Sequence, residues 1–259
     1  MTTRRVQTVD GVEIAYEVLG SGDPLVLVHG ITESRRMWDP LLADLAAGFN
    51  VINVDLRGHG GSSLAGDYSL ASMAVDVRSV LADLGIDSPP HLIGHSLGGT
   101  VVSTYAAMFE TRNVINVDQP MALAGFKDQL GQLEPMLRGD QFDAAIGMVF
   151  DALFGDRIAS EERSRIDALR SPKQEVVLGV WSVVFDLSVE ELESVVDSVA
   201  GGISAPYLAL HGIDPGADYP EWLAARIPTA VVEVWDGLGH YPHLVEPERF
   251  LNRVREFLG

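Results

Sequence analysis

Gly94-His95-Ser96-Leu97-Gly98 sets a serine midway between two glycines. A serine hydroxyl becomes a nucleophile when a base takes its proton, and it must project from the backbone to be reached. The G-x-S-x-G spacing meets the second condition. A strand turning sharply into a helix leaves the serine strained and exposed, and side chains at Gly94 or Gly98 would strike neighbouring backbone. The surroundings suit such an elbow: the apolar run His91-Leu92-Ile93 precedes it, and a helix-compatible stretch from Gly99 to Met108 follows. Gly239-His240 offers the base. An imidazole titrates near neutrality, so it can take the proton of Ser96 and return it to a leaving group. His243 competes for that role, but the glycine before His240 permits an exposed loop and favours the earlier residue.

Attack on a carbonyl creates an oxyanion, which two backbone N–H groups would have to meet. One belongs to the residue after the nucleophile, Leu97. The other is expected in the His29-Gly30-Ile31 loop, at Ile31, with Gly30 allowing close approach. His29 and His95 read as supporting residues. The stretch from Asp55 to Ser62 (Asp-Leu-Arg-Gly-His-Gly-Gly-Ser) reads as a structural loop closed by an internal Asp55/Arg57 pair, and substrate contact by Arg57 or His59 is the lesser reading.

The elements that must hold these residues follow from periodicity. Two alternating runs flank Asp10-Gly11, which predicts a hairpin. Short apolar runs follow at 25–28, 49–56, 91–93, 114–117, 206–210 and 230–235, as a sheet covered on both faces requires. Helical patterns separate them: one after Trp38, one after the N-cap candidate Ser69, one after Gly98 and a last one after Pro247. The alternation predicts an α/β fold with a doubly wound, mostly parallel sheet. Residues 121–202 break the rhythm with helix-like apolar spacing. They predict a helical insertion packed on a core formed by 1–120 and 203–259, since no Pro/Gly-rich linker isolates them.

Composition narrows the options. A chain of 259 residues suits one domain carrying an insertion. A net charge of −19 repels phosphate backbones and anionic lipid, which argues against nucleic-acid and membrane-surface roles and leaves a small molecule as the expected partner. The absence of cysteine excludes thiolate zinc sites and cysteine nucleophiles. The histidines lack metal-ligand spacing such as H-E-x-x-H, so neither metal nor cofactor is implied. The N-terminal stretch alternates as a strand would and carries no export signal, which makes the cytoplasm the expected location.

The HG loop, the D-x-R-G-x-G-x-S loop, GHSLGG and the late GH, in that order, resemble the α/β-hydrolase superfamily in its lidded branch of esterases, lactonases, haloperoxidase-like enzymes and carbon–carbon hydrolases. The resemblance covers almost the whole chain and implies an eight-stranded sheet, a cap over the strand ends, and a triad in the order serine, acid, histidine. Serine at the elbow argues against dehalogenases and epoxide hydrolases, whose nucleophile is aspartate. The acid is where this chain departs from the pattern. It commonly stands as G-x-x-D after the strand that follows the lid. Here that region reads His211-Gly212-Ile213-Asp214-Pro215-Gly216, one residue short. Asp214 is preferred, Asp118 at the end of the strand after the nucleophile helix is its rival, and Asp218 ranks third. The expected activity is cleavage of a carboxylic ester or lactone of a small, apolar substrate through an acyl-enzyme on Ser96. Carbon–carbon hydrolysis or perhydrolysis on the same triad, or a ligand-receptor role with slow turnover, are the alternatives.

Overall fold

The computed structural model describes residues 2–259. Eight strands form one sheet in the order β1-β2-β4-β3-β5-β6-β7-β8: β1 Arg4–Gln7, β2 Glu13–Gly20, β3 Pro24–Val28, β4 Asn50–Val54, β5 His91–His95, β6 Asn113–Val117, β7 Tyr207–His211 and β8 Ala230–Val234. The β1–β2 hairpin predicted around Asp10-Gly11 forms, and β1–β2 and β2–β4 pair antiparallel. All other pairings are parallel.

The central strands are mostly apolar because both faces are covered, with Asn53 and Asn116 among the buried polar exceptions, each donating to a backbone carbonyl. Val26, Val28, Leu92, Val114 and Ala209 enter one core, and Leu25, Leu27, Ile93, Ile115 and Leu208 the other. This is the side-to-side alternation of a pleated strand buried on both faces, which favours apolar residues on each side. The helices α2 (Leu70–Asp83) and α3 (Leu97–Met108) cover the first face, while α1 (Asp39–Ala46) and the C-terminal helix (Pro247–Leu258) cover the second. Ser69 caps α2 as expected, its hydroxyl accepting from the Ser72 N–H at 3.3 Å. β8 departs from the fully buried expectation. It is one of the two edge strands, and Val231 and Val234 are exposed.

Between β6 and β7 the chain makes five helices: α4 Ala124–Arg138, α5 Phe142–Leu153, α6 Ser160–Leu169, α7 Gln174–Asp186 and α8 Val189–Gly202. They hold to the sheet-bearing core through polar contacts as well as packing. Lys173 Nζ donates to the Gly58 carbonyl at 2.8 Å, Arg165 donates to the carbonyls of Arg36 and Met37, and the Ser171 N–H donates to the Thr32 carbonyl at 2.8 Å. The chain then runs through α9 (Tyr219–Arg226) to β8, and α10 (Pro242–Val245) leads into the C-terminal helix, α11.

After β3 the chain moves outward to β4, then crosses back to β5 on the other side of β3. A crevice opens at such a reversal, outside the carboxyl ends of the strands, and that is where ligands bind in open α/β sheets. The loop after β3 and the turn after β5 border this crevice.

Candidate active site

Ser96 is the single residue between β5 and α3, with φ 52° and ψ −124°. A non-glycine residue in that region is strained by about 1–3 kcal/mol and persists only where its surroundings overdetermine it. Here they do. The Ser96 N–H donates to the Val117 carbonyl at 2.9 Å, and its carbonyl accepts from the Gly99 N–H at 2.7 Å. A Cβ at Gly94 would overlap the Gly98 carbonyl, and one at Gly98 would overlap the Val28 carbonyl, so both glycines are sterically required.

His240 follows β8 on a loop gripped from two sides. Its backbone N–H donates to the Leu153 carbonyl at the end of α5 at 2.8 Å. Its carbonyl lies 2.8 Å from Nε2 of His95, which donates to it. The imidazole Nδ1 meets Asp118 Oδ2 at 2.6 Å. Burial pulls the His240 imidazole below its ordinary value, against the Asp118 carboxylate, which supports the protonated form. The resting ring is therefore neutral near pH 7, with Nδ1–H on Asp118 and Nε2 left as a base.

The structure brings Asp118, the rival of the preferred Asp214, against His240. Asp118 directly follows β6, at φ 53°. Its Oδ1 accepts from the N–H groups of Gly212 at 2.7 Å and Ile213 at 3.1 Å, and its Oδ2 faces His240. Burial raises the affinity of this carboxylate for a proton, but the His240 contact and the backbone N–H donors outweigh it and hold the group below the ordinary aspartate range. Asp214 is exposed at the cavity rim, where its Oδ1 accepts from the Gly216 N–H at 2.8 Å and closes its own turn. The chain after β7 spends its first two N–H groups on Asp118 and then bends outward, which carries Asp214 away from His240. Asp218 stands at the N-terminus of α9.

Other readings divide. His243 is fully buried against Trp38, His95 and Phe250, away from the cavity. His29 orients its loop: its Nε2 accepts from the Leu56 N–H at 3.1 Å, so Nδ1 carries the proton and donates to the Gly30 carbonyl at 2.7 Å. The expected Asp55/Arg57 pair does not form. Asp55 pairs with Arg35, and Arg57 forks onto Asp76 with two contacts of 2.7 Å, so each charge of that loop is neutralised by a different element.

Ser96, His240, Ile31 and Leu97 all line one cavity of about 380 Å³. Among the described residues neither the Ile31 nor the Leu97 N–H has a hydrogen-bond partner. The far wall comes from the insertion: Phe126 of α4, Val149, Phe150 and Leu153 of α5, and Val180 and Trp181 of α7. Among the described residues no lysine or arginine lines it, and the carboxyl side chains on its surface are Asp118 and Asp214.

Sequence reasoning missed Glu33, Tyr241 and Arg170, which form a buried polar chain behind the site. One local signal was available: a carboxylate three residues after Gly30 can reach back to that residue's N–H, as capping side chains do.

The alpha/beta hydrolase family model matches residues 25–253. The chain belongs to the alpha/beta hydrolase family. It is 27% identical to a pimeloyl-[acyl-carrier protein] methyl ester esterase of Aeromonas hydrophila over 95% of this chain and 99% of that protein. It is also 27% identical to the non-heme chloroperoxidase CPO-A1 of Kitasatospora aureofaciens, over 97% of this chain and 98% of the relative. Among solved structures, the esterase RhEst1 from a Rhodococcus species superposes with a TM-score of 0.81 at 29% identity, covering 100% of this chain and 98% of that one.

Proposed function

We propose that this alpha/beta hydrolase cleaves carboxylic esters or lactones of small, uncharged, apolar substrates through an acyl-enzyme on Ser96. The observation that carries the reading is the meeting, at one cavity, of the strained Ser96 with the His240–Asp118 pair, held at 2.6 Å.

The steps follow from the groups at that cavity. Ser96 Oγ attacks the substrate carbonyl carbon while His240 Nε2 takes the hydroxyl proton. Asp118 fixes the tautomer and stabilises the imidazolium that forms. The carbonyl oxygen gains negative charge and is met by the N–H groups of Ile31 and Leu97, which are preorganised and unpaired in the resting protein. Collapse breaks the bond to the alcohol, which leaves with the proton from His240. A water molecule, deprotonated by the same Nε2, then attacks the acyl-enzyme and releases the acid and Ser96. With a lactone the alcohol stays tethered, and the product is a hydroxy acid.

The five-helix insertion acts as the cap that completes the substrate pocket. Its phenylalanines, valines and Trp181 favour an apolar acyl or alkoxy group. With no lysine or arginine at the wall and Asp214 at its rim, a carboxylate on the substrate would be desolvated without compensation.

The test is a series of 4-nitrophenyl esters from acetate to octanoate, together with a chain-matched ester ending in a carboxylate. The neutral esters should turn over, the carboxylate-bearing ester should fall at least about tenfold behind its neutral match in kcat/KM, and Ser96→Ala should abolish all turnover. Undiminished hydrolysis by Ser96→Ala would refute the reading.

A further inference from the structure

Glu33 lies on no wall of the cavity, yet its carboxylate touches every part of the apparatus behind it. Its Oε2 accepts from the Gly30 N–H at 2.9 Å and lies 3.4 Å from His95 Nδ1. Its Oε1 accepts from the Tyr241 hydroxyl at 2.8 Å. The Tyr241 oxygen in turn accepts from Arg170 Nη2 at 2.6 Å. Arg170 follows α6 of the insertion and lies over the ring of Phe150, a cavity-wall residue, at 4.0 Å. His95, on the other side, donates to the His240 carbonyl.

These contacts fix directions as well as positions. A trans peptide is planar, so the Gly30 carbonyl and the Ile31 N–H point opposite ways. The Gly30 carbonyl is held by His29 Nδ1 at 2.7 Å and by the Glu33 N–H at 3.3 Å, while Glu33's carboxylate holds the N–H of the same glycine. With both ends of Gly30 secured, the direction of the N–H of Ile31, a cavity-lining residue, is fixed. The carboxylate also steadies the base loop at Tyr241, the residue after His240.

We propose that Glu33 is a positioning residue that holds the oxyanion loop and the base loop in one geometry and, through Tyr241 and Arg170, ties that geometry to the seating of the helical insertion. The role rests on the hydrolase reading of Ser96. Ionised carboxylates are costly to bury, and this one is 2% exposed. Burial disfavours its charge, but His95, Tyr241 and Arg170 overcome that and hold it well below the usual glutamate range. The carboxylate is therefore held ionised, accepting from the Gly30 N–H and the Tyr241 hydroxyl.

The test compares Glu33→Gln, Tyr241→Phe and the double variant on a neutral 4-nitrophenyl ester. Misplacing catalytic groups by a fraction of an ångström should lower kcat roughly 10- to 100-fold in Glu33→Gln while KM moves less than about threefold. Tyr241→Phe removes one hydroxyl and keeps the ring stacked on Phe154, so it should fold and lose a smaller factor in kcat. Because the two residues act in one chain, the double variant should be no worse than Glu33→Gln alone to within about twofold. If Glu33→Gln does not fold, a loss in kcat by Tyr241→Phe at unchanged KM still supports the proposal, and no loss overturns it. An active wild type with an unaffected Glu33→Gln, or losses that multiply independently, would overturn the positioning role alone. A wild type inactive on every ester would overturn both this role and the hydrolase reading.

Discussion

The two residues proposed to stand behind Ser96, His240 as base and Asp118 as its acid partner, each sit in an environment that sets their charge. Burial lowers the proton affinity of His240, and the two backbone N–H groups on Oδ1, with the imidazole on Oδ2, keep Asp118 ionised. Only the neutral imidazole can accept the serine proton, so activity should rise with pH through the titration of His240 and then level off. Because burial shifts that titration downward, the acidic limb of kcat/KM should be centred below the 6.5 of an unperturbed imidazole. A limb centred above neutrality would show that another group controls the reaction. At this scale the elbow at Ser96 and the loop at His240 were legible in the sequence because flanking glycines mark them. Asp118 carried no such mark. Its left-handed backbone, and the two N–H groups that arrive from 94 and 95 residues away, exist only once β6 and β7 lie side by side.

At the scale of elements, the site is a set of turns at the carboxyl ends of β3, β5, β6 and β8, and the strands were legible because strands buried on both faces are dominated by short apolar runs. What periodicity could not show is how the insertion enters the site. His240 takes its backbone hydrogen bond from Leu153, the last residue of α5, and Phe154 packs beneath Tyr241. Gly239 is the hinge of this contact. It has φ +67°, and a Cβ there would overlap the Phe154 carbonyl. Gly239→Ala must therefore either push the insertion away or pull the base loop out of register. Urea denaturation should show a loss of about 1–3 kcal/mol, and kcat should fall about tenfold or more. Unchanged turnover would mean that the base loop holds His240 without help from α5.

The whole molecule joins two structures that the sequence presents separately: a doubly wound sheet and a run of helices between β6 and β7. Their separation is visible in the change of hydrophobic period near residue 121. Their coupling is not, because it runs through polar contacts between distant segments. Arg170 meets Tyr241, Tyr241 meets Glu33 from 208 residues away, and Lys173 meets the carbonyl of Gly58. The surplus of acidic residues, with a net charge of −19, adds a long-range field that repels anionic substrates before they reach a pocket without basic walls.

The central claim is that Ser96 is activated by His240 with Asp118 as the acid behind it, and turnover by two paired variants tests it most directly. Asp118→Asn should lower kcat about 10⁴-fold on a neutral ester, because the amide cannot hold the correct imidazole tautomer. Asp214→Asn, at an exposed residue that closes its own turn, should stay within about threefold of wild type. Equal losses in the two variants, or a larger loss at Asp214, would contradict the assignment.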